Sequence, residues 1–308
     1  MYDSLVQNCT KFHIYMLCFD DISVKYIHKL NLNYVTIIPQ KLFEAGDELL
    51  VETKKDRTRL EYYYTCGPSL LLYVLNHYPE VDIITYLDSD LFFFNDPYPL
   101  IQEIDGYSIG MTVHNFPEYK SAPKTGKYNV GWLSFRRDVN GIACLKWWRD
   151  KCINWCYEFF EDDKYADQMY LDEWPKLFHG VKILEHKGAN VASWNVSDYN
   201  IYKQDCKVVV SGYSLIFYHF HGFKQLSRHI YNTNLGLTFK FPSKIIKERI
   251  FLPYIIALNK NKLTKSLTLS IRKKKLRPQW IQIIRTFLRT IIGIIFRQYV
   301  IVIGDHIY

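Results

Sequence analysis

Two carboxylates one residue apart, Asp88 and Asp90, follow the apolar run Val81–Leu87 (VDIITYL) and precede Leu91-Phe92-Phe93-Phe94. Open α/β sheets bind ligands beyond the carboxyl ends of their strands. Two acids placed there are costly unless a cation neutralises them. A divalent ion such as Mn2+ or Mg2+ takes carboxylate oxygens and keeps phosphate oxygens as co-ligands. A solvated turn also contains Asp-x-Asp triplets; the position between two apolar runs favours the metal. His219 ends a second β-rich run, Ser214–Phe220, and offers an imidazole nitrogen. In a continuing strand His221 points the same way and Phe220 the other.

Other polar residues suit a sugar-phosphate ligand. Gly222 permits close approach of backbone to a diphosphate, and Lys224 offers a charge for phosphate. Asn129, at the start of a strand, can hydrogen-bond sugar hydroxyls. The segment His186–Asn195 (HKGANVASWN) sets small residues between His, Asn and Trp, which suits a carbohydrate pocket and singles out Asn190. The basic segment Lys54–Tyr62 (KKDRTRLEY) precedes a helix; it lines the diphosphate side or is solvated surface.

These residues need strands and helices to position them. Strands are expected over Phe12–Phe19, Tyr34–Ile38, Val81–Leu87, Ser108–Val113, Val130–Phe135, Val181–Leu184, Lys207–Val210 and Ser214–Phe220, with helices over Ile22–Leu30, Glu61–Tyr78 and Asp138–Phe160. The alternation argues for an α/β fold with a mostly parallel central sheet flanked by helices. Val81–Leu87 reads as a strand buried on both faces. No domain break is visible before about residue 240, which divides the chain into 1–240 and a basic helical extension, 241–308.

The stretch TYLDSDLFFF resembles the Asp-x-Asp motif of GT-A fold glycosyltransferases, and more narrowly the glycogenin/galactosyltransferase-like group and related bacterial nucleotide-diphospho-sugar transferases. Tyr128-Asn129-Val130-Gly131-Trp132-Leu133 is similar to that family's Asn-x-Gly strand, Asp167-Gln168 to its Asp-Gln pair, and His219-Phe220-His221-Gly222 to its late His-Phe-x-Gly motif. The resemblance covers about residues 1–235. It implies a metal held by Asp88, Asp90 and His219, a donor bound by Asp88, Asp90, Asn129, Gly222 and Lys224, and sugar or acceptor contacts from Asp167 and Gln168; Asn190 joins these from its place in HKGANVASWN. The family's Lys-Pro-Trp ending is replaced by Phe223-Lys224-Gln225. The start at Met1-Tyr2-Asp3-Ser4-Leu5 resembles the middle of the family's first helix, so the first strand, whose end holds the nucleotide base, is expected to be missing.

The implied reaction moves a hexose from a nucleotide-diphosphate sugar to a glycan or glycolipid acceptor in cell-surface polysaccharide or lipopolysaccharide synthesis, with a leaning towards retention. Two alternatives stay open: a metal-dependent phosphoryl-transfer enzyme, and a catalytically impaired GT-A-like binding protein. Composition bounds the setting. The net charge is +8, and residues 260–308 carry 11 Lys/Arg against one acid, Asp305. That +10 exceeds the total and leaves residues 1–259 at −2, so nucleic acid is not an expected partner. Arg272-Lys273-Lys274-Lys275-Leu276-Arg277 precedes Trp280, Ile283, Ile284, Phe287 and Leu288, a pattern for a basic amphipathic anchor on anionic lipid. No apolar run reaches the roughly 18–20 residues of a membrane span, and Asp3, Gln7, Asn8 and Lys11 interrupt any signal-peptide pattern. Seven dispersed cysteines without a Cys-x-x-Cys read as buried thiols. The expected location is the cytoplasmic face of a bacterial inner membrane.

Overall fold

The computed structural model describes residues 1–116, 125–235, 243–260, 299–303 and 305–307. They are mixed α/β and form two compact units. One comprises Cys9–Ser89 and Pro97–Glu185. The other comprises Met1–Asn8, Asp90–Asp96 and His186–Tyr308.

The Cys9–Ser89/Pro97–Glu185 unit opens with a parallel pair, Ile14–Cys18 against Val35–Pro39. The helix Asp21–Leu30 connects them, its first turn capped by Asp20, which accepts from the Ser23 amide at 2.6 Å. A second sheet runs in the order Ile83–Leu87, Tyr128–Arg136, Ile109–Val113, Val181–Ile183. Its first two pairings are antiparallel and its last is parallel. Among the described residues, Ile14–Cys18 pairs only with Val35–Pro39 and Ile83–Leu87 only with Tyr128–Arg136. No described segment therefore supplies a further strand beside either.

Three of the four strands of this second sheet run in one direction, as expected, while Tyr128–Arg136 enters between two of them and runs opposite to both. One expectation is corrected: the strand buried throughout is Tyr128–Arg136, where every residue but Arg136 is buried; in Ile83–Leu87 only Ile84 is. An edge strand has one neighbour, so its apolar residues stay partly covered.

Two helices cover this sheet. Arg59–His77 begins with a capping box in which Thr58 and Glu61 satisfy each other's amides. Its other end is tied down by Arg137, whose guanidinium donates to the carbonyls of Leu75, Tyr78 and Val81 at 2.6–2.7 Å. The helix Val139–Asn154 is capped by Asp138 and packs Trp148 among Phe135 and Trp174. It ends at Trp155, short of the expected Phe160, because Trp155 turns extended. From there Trp155, Tyr157 and Phe159 pack on one another instead of continuing the helical stripe.

The second unit has its own core. Phe217–His219 pairs antiparallel with Leu91–Phe93 and parallel with Val191–Ala192. The strands Lys224–Gln225, Ile230–Asn232, Tyr299–Ile303 and His306–Ile307 form a separate antiparallel sheet. Phe92, Tyr218, Phe220 and Tyr231 share one apolar cluster with Ile250, Phe251 and Ile255 of the helical segment 244–260 and with Val300 and Val302. The expected basic anchor falls in 261–298, outside the described residues. Among the described residues no helix is long and apolar enough to cross a membrane.

Candidate functional site

In the second unit the antiparallel pairing of Leu91–Phe93 with Phe217–His219 brings Asp90 to the end of the strand that carries His219. The Phe220 amide donates to the Asp90 carbonyl at 3.0 Å and extends this register by one residue. Side chains then alternate as expected. Phe220 enters the apolar cluster and stacks on Tyr254, with centroids 3.7 Å apart. His219 and His221 stand on the other side with Asp90. One ligand atom from each of the three lies within 4.8 Å of the others. His219 Nε2 is 3.1 Å from Asp90 Oδ1, and the Trp194 edge packs on both imidazoles. His219 is buried, Asp90 half-buried and His221 exposed. Burial pushes the Asp90 carboxyl up, but the hydrogen bond and charge of His219, then the charge of His221, outweigh it and hold the group below its ordinary value.

Residues around this cluster are locally fixed. Gly222 has φ +70°, and a Cβ there would run into the Asn234 side chain, which donates to the His221 carbonyl at 3.0 Å. The close approach that this glycine permits is thus that of Asn234. Asn190 is buried with φ +53°, and its carbonyl accepts from Asn195 at 3.0 Å. Lys224 is exposed and sits opposite Asn232 in its ladder.

The first unit gathers the remaining candidates. Asn129 Nδ2 lies 3.1 Å from both Gln168 Oε1 and His114 Nε2, and Asn129 Oδ1 accepts from the Gly131 amide at 3.0 Å. His114 Nδ1 faces the Gly126 carbonyl at 3.1 Å. A carbonyl only accepts, so Nδ1 carries the proton and Nε2 accepts from Asn129. Gln168 also accepts from the Val130 amide and donates to the Thr125 carbonyl at 2.6 Å. Asp167 is buried beside this network, and its carbonyl accepts from Trp148 Nε1 at 2.8 Å. Desolvation, and secondly the negative charge of Asp88, push the Asp167 carboxyl up to about 8. Burial, with the charges of Glu158 and Asp167 behind it, also raises the phenols of Tyr64 and Tyr165; Asp88 adds to the shift of Tyr64. The Asp88 amide donates to the Gly131 carbonyl at 3.3 Å.

No protein-family model matches the chain. Two uncharacterized proteins of Bacillus subtilis (strain 168) do. YfnD is 31% identical over 264 residues, which is 84% of this chain and 84% of YfnD. YfnF is 32% identical over 236 residues, 74% of this chain and 77% of YfnF. The chain belongs to the YfnD/YfnF family. Among solved structures, apo mouse xyloside xylosyltransferase 1 aligns with 71% of this chain and 89% of its own, at 15% identity and a TM-score of 0.44. A glycosyltransferase involved in glycosylation of the major capsid of PBCV-1 aligns with 70% and 95%, at 11% identity and a TM-score of 0.41.

In this member of the YfnD/YfnF family, then, Asp90 and His219 come together as expected and His221 joins them. Asp88 is outside that trio and lies in the other unit, where it acts on Asp167. Asn129, Asp167 and Gln168 come together as well. Sequence reasoning did not single out His114, Tyr64 or Tyr165. For His114 the usable signal was its place one residue beyond a strand end; the two tyrosines carried none, being two among 25.

Proposed function

We propose that this chain is a divalent-metal-dependent glycosyltransferase that moves a hexose from a nucleotide-diphosphate sugar to a hydroxyl of a glycan or glycolipid in cell-surface polysaccharide synthesis. The observation that carries the reading is the convergence of Asp90, the second acid of the Asp-x-Asp motif, with His219 and His221, their ligand atoms within 4.8 Å of one another. One carboxylate and two imidazoles fit a metal. Imidazole suits first-row transition ions, whereas Mg2+ prefers an all-oxygen shell. This donor set therefore favours Mn2+ over Mg2+. Asp88, two residues earlier in the chain, is proposed as a further ligand from the motif alone.

When bound, the metal supplies Lewis-acid neutralisation of a diphosphate leaving group. The protein's own groups do the rest. Asp90 stays ionised and His219 Nε2 stays directed at it. Asn129 and Gln168 are locked by their shared hydrogen bonds and present a fixed polar surface. Burial, and secondly the charge of Asp88, hold the Asp167 carboxyl up at about 8, so it keeps its proton at neutral pH. An inverting reaction needs an ionised base beside the acceptor hydroxyl, a role that a protonated Asp167 does not fill. The basic segment Arg272–Arg277 is proposed to hold the enzyme at an anionic membrane surface, where a glycolipid acceptor resides.

The test is turnover of a panel of nucleotide sugars by the full chain, with Mn2+ or with EDTA. Release of a nucleoside diphosphate together with free or transferred sugar, abolished by EDTA, is expected. Phosphate release without sugar release contradicts the reading.

A further inference from the structure

Trp147, Lys151 and Asn154 stand four and three residues apart near the end of the helix Val139–Asn154, which puts them on one face. With the segment 163–176 this face encloses a cavity of about 750 Å3. That lies in the roughly 300–1,000 Å3 range of small-molecule sites and exceeds the space that one hexose fills. Three aromatic rings line it, those of Trp147, Trp155 and Tyr170, and each is held in place. Trp155 Nε1 donates to Glu161 at 3.1 Å, and the Tyr170 hydroxyl donates to the Trp155 carbonyl at 2.8 Å. Trp147 meets Tyr170 and Phe178 edge to face. Both indoles are only half-buried.

Polar groups surround these rings. Lys151 Nζ and Lys164 Nζ each lie 5.2 Å from an indole centroid, over Trp147 and Trp155 respectively. Lys176 is 3.5 Å from Glu173, in a pair of exposed side chains that solvent screens. Asn154 and Asp163 are exposed and line the same cavity. The three lysines face three acids, Asp163, Asp172 and Glu173, so the lining carries no net charge and favours a neutral ligand. A carbohydrate matches it group by group. Ammoniums donate to hydroxyl oxygens, carboxylates accept from hydroxyls, and the C–H face of a pyranose packs on the negative face of an indole.

Asp172 joins the cavity to the Asn129–Gln168 network. Its carboxylate accepts from the amides of Lys127 and Tyr128 at 2.9 and 3.4 Å, immediately before Asn129. Met169 lines the cavity directly after Gln168.

We propose that this cavity binds a neutral oligosaccharide, the part of a glycan acceptor remote from the hydroxyl that receives the sugar. The purpose of the bound chain rests on the proposed transfer, but the binding needs neither metal nor donor.

The experiment is saturation-transfer NMR of the full chain in EDTA, without donor, with maltotetraose, cellotetraose, mannotetraose and tetra-N-acetylchitotetraose. The matching monosaccharides and tetragalacturonate are separate arms. Saturable binding of at least one neutral tetrasaccharide is expected, at least 10-fold tighter than its monosaccharide, with saturation strongest at ring C–H protons. Trp147→Leu and Trp155→Leu keep apolar volume but lose the stacking face, and each weakens binding at least 10-fold. Asn154→Ala/Asp163→Ala, at exposed positions that leave the core untouched, weakens it at least 3-fold. Tyr98→Ala and Tyr107→Ala, exposed aromatics outside the cavity, leave it intact, and so does Asp90→Asn. Binding that persists where no nucleotide sugar is turned over removes the transfer reading and keeps the site; turnover without binding removes the site alone. Absence of saturable binding by all four neutral chains, undiminished binding by both tryptophan variants, or tighter binding of tetragalacturonate overturns the proposal.

Discussion

Replacing Asp167 by Asn should change how stability depends on pH. The folded-state pKa of Asp167 is raised from 3.8 to about 8, first by desolvation and then by Asp88. With a raised pKa, the native state keeps a proton that the unfolded chain has already lost. The associated stability is therefore complete below about pH 4 and declines as pH rises, until the native group ionises near 8. Each pH unit in this window costs about 1.4 kcal/mol. From pH 4 to pH 7 the loss is on the order of 4 kcal/mol, a large share of the roughly 5–15 kcal/mol that holds a domain folded. Asn has the same shape and no proton to lose, and the hydrogen bond from Trp148 goes to the backbone carbonyl, so it survives. Urea unfolding of the full chain and of Asp167→Asn, in EDTA at pH 4 to 9, isolates this one group. The variant should gain on the parent with rising pH by up to about 1.4 kcal/mol per unit, levelling above pH 8. Asp88→Asn, which removes only the second cause, should shorten the window from its upper end without abolishing it. Parallel pH profiles for parent and Asp167→Asn would refute the reasoning.

Other outcomes follow from the same geometry. Arg137→Ala removes three charge-assisted hydrogen bonds to carbonyls at the end of Arg59–His77 and should cost about 2–4 kcal/mol, read by thermal or urea unfolding. Gly222→Ala drives a Cβ into Asn234 at a positive φ and should cost about 1–3 kcal/mol; Asn234→Ala in the same chain should return part of it, and additive costs would contradict the steric cause. His221→Ala should weaken Mn2+ binding at least 10-fold by electron paramagnetic resonance, and unchanged affinity would remove His221 from the ligand set. Replacing Arg272, Lys273, Lys274 and Lys275 by Gln should abolish flotation with phosphatidylserine vesicles while leaving binding to neutral vesicles unchanged.

Much of the arrangement was legible in the sequence where it depends on local pattern. The alternation in Ser214–Phe220 put His219 and His221 on one face and Phe220 on the other, and the structure keeps them so. The strands Phe12–Phe19 and Lys207–Val210 and the helix Ile22–Leu30 appear within a residue or two at most ends. What could not be read depends on neighbours. VDIITYL carries the composition of a central strand, yet among the described residues Ile83–Leu87 is an edge strand, because edge or centre is decided by which strands pair with it. The helix from Asp138 stops at Trp155 because three aromatics prefer one another to the helical stripe. Arg137 looked like any surface arginine, since its three carbonyl partners come from a segment about 60 residues earlier. The guanidinium of Arg57, buried over the Tyr157 ring and paired with Asp56, was likewise hidden inside a run that reads as solvated charge.

The most direct test of the central claim compares nucleotide-sugar turnover by the full chain with that of Asp90→Asn and His219→Ala, at saturating Mn2+ and with folding verified by circular dichroism. The account predicts sugar release by the parent chain, with a loss of at least 100-fold in both variants, about 2.7 kcal/mol of transition-state stabilisation. Turnover by either folded variant equal to that of the parent would contradict it.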